Sequence, residues 1–231
     1  MAGCFNIRLR QLSKSGNRYL CRMDYLEQLQ KRYSVKKFDG EKKVQQEILE
    51  RIMEAGKLSA SSLGLQPYEI IVVASDEMRE KLIPAFYNPS QITSCSHLMV
   101  ITAKNGIGDE YINNYFSHIS DTRQIPLDNL ELFRKSIDSH MNRLSPESLM
   151  SWAEKQGYIV LGNLMFAAAL ENVDTCPMEG FRQEVIDEIL NLDPKKEKTC
   201  ITLALGYRSA EDHFQNLKKV RKPNDKLFKF M

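Results

Sequence analysis

The sequence predicts an α+β fold in which a small mixed sheet is covered by helices. Three observations carry that prediction. Four apolar runs are too short for helices: 69–74 (EIIVVA), 97–103 (HLMVITA), 173–176 (VDTC) and 200–206 (CITLALG). Longer stretches with apolar residues at helical spacing outnumber them. One of these, ending near Leu170, becomes apolar nearly all round in its later turns (GYIVLGNLMFAAAL). Such a segment belongs at the centre of a core or in a subunit interface.

The elements follow in order. Asp24 can cap a short helix carrying Tyr25, Leu26, Leu29 and Gln30. The segment RYSVKKF then reads as an extended loop. Residues 42–58 repeat apolar side chains at Val44, Ile48, Ile52 and Ala55, one face of an amphipathic helix. Ser59 to Leu65 is a small-residue loop before the first strand. Asp76 is the expected cap of a helix through Ile83, and Pro84 to Pro89 breaks the chain. After the second strand, residues 108–142 read as two helices interrupted near Pro126. Ser145, Pro146 and Glu147 are an N-cap, a first-turn proline and an acid at the positive end of the helix dipole. That helix should run to about Leu170, with Gly157, Gly162 and Ala167 allowing close backbone approach. A short strand, a turn at Pro177–Gly180, a helix from Phe181 to Leu190 and the last strand complete the core. From Phe214 onward the chain is basic and proline-interrupted, so it should wrap over a neighbour.

Composition narrows the function. The 231 residues suit one domain with a real core, and no apolar run reaches the length of a membrane span. The formal charge of +2 conceals an asymmetry, because residues 1–22 hold Arg8, Arg10, Lys14, Arg18 and Arg22 and no acid. The remaining 27 basic and 30 acidic residues leave the body near −3, which argues against a general nucleic-acid binder. The first 22 residues admit three readings: an over-long start with Met23 as the true beginning, a targeting peptide that would make the protein organellar, or an ordered arm. The cysteine count of five is odd and without a Cys-x-x-Cys, which fits reduced thiols in a reducing, cytoplasmic setting. His97, His118, His140 and His213 show no ligand spacing, so no metal site is expected.

Two basic clusters stand at opposite ends of the chain. Arg32, Ser34 and Lys36 alternate, and in an extended segment residues two apart share a side. Lys219 and Arg221 repeat the spacing. Together they could gather donors around one anion. Ser61-Ser62 before Gly64 offers hydroxyl and backbone donors, and Pro177-Met178-Glu179-Gly180 follows a strand, where active-site turns often sit. Alone, each fragment also reads as an ordinary loop or turn. Sequence signatures of the hydrolases, zinc proteases, P-loop and dinucleotide-binding folds are missing, and Gly106-Ile107-Gly108 has too few glycines for the last. Cys95 beside His97 reads as core.

Taken together the fragments resemble the FMN-dependent nitroreductase family, in its oxygen-insensitive nitroreductase and flavin reductase branch. The likeness covers about 23–231, with 1–22 as an extension. It rests on KRYSVKKFD (31–39), SASSLGLQPY (59–68), SHLMVITAK (96–104), WAEKQGYIVLGNLMFAAAL (152–170), PMEGF (177–181) and KVRKP (219–223). It implies a mainly antiparallel central sheet and an intertwined homodimer. It also implies an NAD(P)H-dependent enzyme that reduces nitroaromatics, quinones or similar small acceptors by ping-pong hydride transfer, with no partner in nucleic acid or membrane. Arg32 and Ser34 would bind the FMN phosphate and ribityl region with Lys219 and Arg221, with Tyr33 beside them. Lys36 would sit at the flavin N1/O2 edge, where a cation stabilises the reduced ring. Asn88 would bond its polar edge, Ser61 and Ser62 would come from the partner subunit, and Ala60, Gly64 and Gln91 would be further cofactor contacts. Glu179 and Gly180 would offer backbone N–H groups near N5, the redox centre, with Pro177 and Met178 beside the cofactor, and no side chain is required as a catalytic acid. Three positions depart from the common pattern: Gly64 for an Asn, Gln91 for a Lys and Tyr33 for a His. Substrate-facing helices would fall within 108–145. Related flavoproteins reduce free flavin, pteridines, enoyl or halogenated substrates, or only bind flavin, and these remain the alternatives.

Overall fold

The computed structural model describes residues 25–231; Asp24, with its expected cap, and the 1–22 segment lie outside them. The four expected strands form one sheet: β1 (Tyr68–Val73), β2 (His97–Lys104), β3 (Asp174–Met178) and β4 (Glu197–Gly206). Its order is β1-β2-β4-β3, and every pair of neighbours is antiparallel. The expected mixture of directions enters only through a parallel bridge between Ser34 and Thr175 outside the named strands. β2 is buried along nearly its whole length, as a run without polar alternation requires.

The helices are α1 (Tyr25–Lys31), α2 (Gln46–Lys57), α3 (Asp76–Leu82), α4 (Ser90–Ser94), α5 (Asp109–Arg123), α6 (Glu131–Met141), α7 (Pro146–Leu170), α8 (Gln183–Ile189) and α9 (Asn224–Leu227). The long α7 packs against α2 and the sheet, burying Val160, Leu161, Leu164 and Ala168 among Met99, Ile101, Ile201 and Leu203. Ser145 caps it by accepting from the Ser148 N–H at 3.2 Å, as its sequence signals. On the other face of the sheet, Leu98, Val100 and Ala204 meet Val35, Phe38, Leu82, Ile92 and Ile186. A third apolar cluster holds α5 against α6, with the Phe116 and Phe133 rings 5.5 Å apart.

Several local expectations need correction. The cap of α3 is Ser75, which accepts from the Met78 N–H at 3.2 Å, and Asp76 is the first helical residue. Both are capping types, and only one can hold the extended conformation before the turn. Val44 is not on α2; it is buried ahead of the helix, and its N–H donates to Ser96 Oγ at 2.7 Å. The helix expected from Phe181 starts at Gln183, because Phe181 bridges Phe86 first. Strand β3 runs on through Pro177 to Met178, at the sheet edge where a missing N–H is tolerated.

Gly206 ends β4 where the loop carrying Phe38 crosses it. A Cβ there would lie 2.9 Å from Phe38 Cδ1 and 3.2 Å from the Ser96 backbone nitrogen. Gly206→Ala should therefore cost about 1–3 kcal/mol of stability. A thermal midpoint within a degree of the parent's would contradict that packing.

Candidate functional site

The segment 32–38 meets the outer edge of β3 at Ser34 and Val35 and passes on to bridge Arg208 at Phe38. Ser34 bridges Thr175, and the Val35 N–H donates to the Thr175 carbonyl at 3.2 Å. Val35 is fully buried beneath this segment, while Arg32, Tyr33 and Ser34 line one cavity and Lys36 reaches Cys176. The tail returns to the same edge. Lys219 Nζ donates to the carbonyls of Leu29 and Arg32, and Arg221 comes near enough to Arg32 to perturb it. The result is a cavity of about 450 Å³ lined by Arg32, Tyr33, Ser34, Arg208, Lys219 and Arg221, among others. The two basic clusters, some 190 residues apart in the chain, thus meet at one place.

The electrostatics of this cavity are lopsided. Burial, then the charge of Arg221, lowers the pKa of Arg32. Burial, then Arg32 and Arg221, lowers that of Lys219. Among the described residues none of the three forms an ion pair with an acid. Cations that repel one another without an acidic partner stabilise an added anion by relieving that repulsion.

The far end of the same edge is less charged. Lys36 Nζ lies 3.9 Å from Cys176 Sγ, and the Lys36 carbonyl accepts from Ser90 Oγ at 2.9 Å. Burial raises the Cys176 thiol pKa and the Lys36 charge opposes it, so the sulfur stays a neutral neighbour. Ser90 also ties Asn88 and Gln91 into this corner: its N–H donates to Asn88 Oδ1 at 3.2 Å, and its hydroxyl lies 3.2 Å from Gln91 Oε1. The Tyr87 N–H donates to the Gly180 carbonyl at 3.0 Å, which brings the Pro177–Gly180 turn beside Asn88. Glu179 accepts from the Tyr158 hydroxyl at 2.6 Å. Lys36, Asn88, Gln91 and the turn therefore share one end of the edge, and Arg32, Ser34, Lys219 and Arg221 the other.

Ala60, Ser61, Ser62 and Gly64 do not line the Arg32 cavity. The Ser62 N–H donates to Gln156 Oε1 at 2.8 Å, and Ala60 borders a separate hollow with Leu58, Ile159 and Gly162. Gly64 has a φ of +72°, and a Cβ on it would collide with the Tyr115 hydroxyl. That crowding, with a conformation glycine adopts freely, explains why a side chain is absent there.

Sequence reading missed Asp174, Arg208 and Asp212. Arg208 makes a forked pair with Asp174, and its guanidinium sits 4.7 Å over the Tyr33 ring. Asp212, 1 % exposed, accepts from the Tyr33 hydroxyl at 3.1 Å and from the backbone of Lys36, Lys37 and Phe214 at 2.7, 3.2 and 3.1 Å. Burial pushes the Asp212 pKa up, but these bonds outweigh it and hold it below the usual carboxylate range. A depressed folded pKa adds stability that is present above about pH 4 and lost as pH falls through it. The stability gap between the parent and Asp212→Asn should narrow on acidification; a constant gap between pH 7 and 3 would contradict the assignment.

A nitroreductase family model matches residues 29–207, most of the chain. The chain belongs to the nitroreductase family. Among its relatives is a Bacillus subtilis protein provisionally named NAD(P)H nitroreductase YfkO, 38% identical over 190 residues, covering 77% of this chain and 85% of the relative. A Staphylococcus saprophyticus protein with the same provisional class name is 32% identical over 211 residues, covering 87% and 93%. A crystal structure from Staphylococcus epidermidis, described as an NAD(P)H:FMN oxidoreductase by assignment, superposes with a TM-score of 0.79 at 27% identity, covering 94% of this chain and all of that one. A nitroreductase-class structure from Exiguobacterium sibiricum in complex with FMN has a TM-score of 0.79 at 20% identity, covering 90% and 98%, and shares the fold. This nitroreductase-family chain thus has the expected fold and belongs to a family of oxidoreductases.

Proposed function

We propose that the protein is an FMN-dependent oxidoreductase that uses NADH or NADPH to reduce a small acceptor such as a nitroaromatic or a quinone. The observation that carries this reading is the cation-lined cavity joined along one edge to the Lys36–Asn88–Gly180 corner. The residues fit the cofactor. A phosphate monoester carries nearly two negative charges at neutral pH, which suits three cations that form no ion pair with an acid among the described residues. Arg32, Ser34, Lys219 and Arg221 would hold that phosphate and the ribityl chain. Asn88 and Gln91 would bond the flavin's polar edge, and Lys36 would place a positive charge beside it. Glu179 and Gly180 would border the redox edge. Bound there, FMN supplies two-electron transfer between nicotinamide and acceptor. The chain's own work is to orient, to exclude water and to set the charge around the ring.

Lys36→Ala should lower the flavin reduction potential more than it loosens FMN binding, because its charge acts on the ring and not on the phosphate. An unchanged potential in a spectroelectrochemical titration would reject that role. Donor and acceptor would use one cleft in turn, so initial rates should give parallel double-reciprocal lines. Intersecting lines would count against the ping-pong order.

We also infer a homodimer, with Ala60, Ser61, Ser62 and Gly64 supplied to the partner's site. Support comes from exposed apolar surface. Tyr158 and Ile159 on α7 and the nearby Leu58 are 43%, 48% and 73% exposed, and a methyl group added to Gly162 would meet nothing within 4 Å. β1 is an edge strand, and an apolar hollow of about 550 Å³ lined by Met53, Leu65, Ile70, Val72 and Leu164 lies beside it. The tail ends in Leu227, Phe228, Phe230 and Met231, all exposed in the single chain. A cytoplasmic, reducing setting is consistent with the free thiols of Cys95, Cys176 and Cys200.

A further inference from the structure

We propose that Asp212 is the positioning residue that sets the spacing between the two cation-bearing segments, and hence the preference for a phosphorylated flavin over an unphosphorylated one. The proposal rests on the FMN reading above. Its basis is a single buried carboxylate that bonds the first segment and caps the turn leading to the second. Oδ2 accepts from the Tyr33 hydroxyl and from the Lys36 and Lys37 N–H groups, which fixes the loop carrying Arg32, Ser34 and Lys36. Oδ1 accepts from the Phe214 N–H at 3.1 Å, which starts the short 3₁₀ turn at His213–Asn216 that leads to Lys219 and Arg221.

A second tie reinforces the first. Tyr33 is clamped from its ring face by Arg208, and Arg208 is held by Asp174 at the start of β3 through its backbone N–H at 2.8 Å and its guanidinium. Asp174, Arg208, Tyr33 and Asp212 thus form one chain of contacts from the sheet to the tail. The charge balance also matters. Four donors occupy the Asp212 oxygens, so it does not fill the place of an anion in the cavity.

Neutralising Asp212 keeps its shape but puts an amide where backbone N–H groups point. The loop and the tail should then separate, and the phosphate contacts, which draw on both, should suffer more than the single Lys36 contact with the ring. The experiment measures binding of FMN and of riboflavin to the full chain by fluorescence quenching, for the parent, Asp212→Asn and Tyr33→Phe. Asp212→Asn should weaken FMN about tenfold or more, and at least about fivefold more than it weakens riboflavin. Tyr33→Phe, which removes one of the four bonds, should weaken FMN about threefold and riboflavin less. Equal losses for both flavins would make Asp212 a general structural residue and overturn the proposal. Should Asp212→Asn fail to fold, an unchanged FMN-to-riboflavin ratio in Tyr33→Phe would overturn it as well. A parent that binds neither flavin would bring down the FMN reading itself, and this inference with it.

Discussion

Arg221→Ala should weaken FMN binding by about 1.5–3 kcal/mol, the worth of a hydrogen bond to a charged group. That is roughly a 10- to 150-fold rise in Kd, enough for the variant to lose cofactor on dilution or gel filtration. The reasoning is local. Arg221 contributes to a cluster with Arg32 and Lys219, and its guanidinium donates to the carbonyl of its own neighbour Val220 at 2.7 Å. Its side chain supports no core residue and forms no ion pair with an acid among the described residues. The loss should therefore appear in binding and not in folding. A variant that retains FMN as tightly as the parent would place the phosphate elsewhere. Because the interaction is ionic, added salt should narrow the difference between the two proteins.

In the proposed dimer, removal of residues 224–231 should have the second large effect, dissociation of the subunits. Phe230 and Met231 are essentially fully exposed, and Leu227 and Phe228 are more than half exposed. Burying such a side chain is worth about 1.5–3 kcal/mol, and each dimer would lose four from each of two tails. Side-chain and backbone ordering of the tail offsets part of that gain. The remainder still corresponds to a change in dimer Kd of several orders of magnitude. Sedimentation should then report a monomer at micromolar concentration. FMN affinity should fall too, since Ser61 and Ser62 would no longer reach the partner's site. A truncated protein that remains dimeric with parental affinity would show that the tail is dispensable, and that the α7 face alone holds the subunits.

The fold was legible where a local signal and its physical cause coincide. The run HLMVITA is buried on both faces, so it lacks alternation and becomes the central β2. Ser145-Pro146 marks the start of α7 because cap and first turn are encoded within two residues. The two basic clusters were legible for the same reason, since residue type and period-two spacing are both local. Their meeting in one cavity is a long-range outcome that the spacing only permitted. Asp212 was not legible. It lies in Ala210-Glu211-Asp212-His213, which reads as solvated surface, and its partners Lys36 and Lys37 are 176 and 175 residues away. The cap of α3 was expected at Asp76 and sits at Ser75, since both residue types serve and nothing local separates them. The place of Gly64 needed Tyr115, on the distant helix α5, to explain it. The flavin-facing roles of Lys36, Asn88 and the Pro177–Gly180 turn came from family likeness and remain proposals, of which the Lys36 role is tested by Lys36→Ala.

The most direct test of the central claim is the visible spectrum of the purified protein, supplied with FMN, during anaerobic addition of NADH and then NADPH. The account predicts flavin absorption bands that travel with the protein and bleach on addition of at least one nicotinamide, then return when a quinone or nitroaromatic is admitted. A protein that takes up no FMN, or whose bound flavin neither nicotinamide reduces, would contradict it.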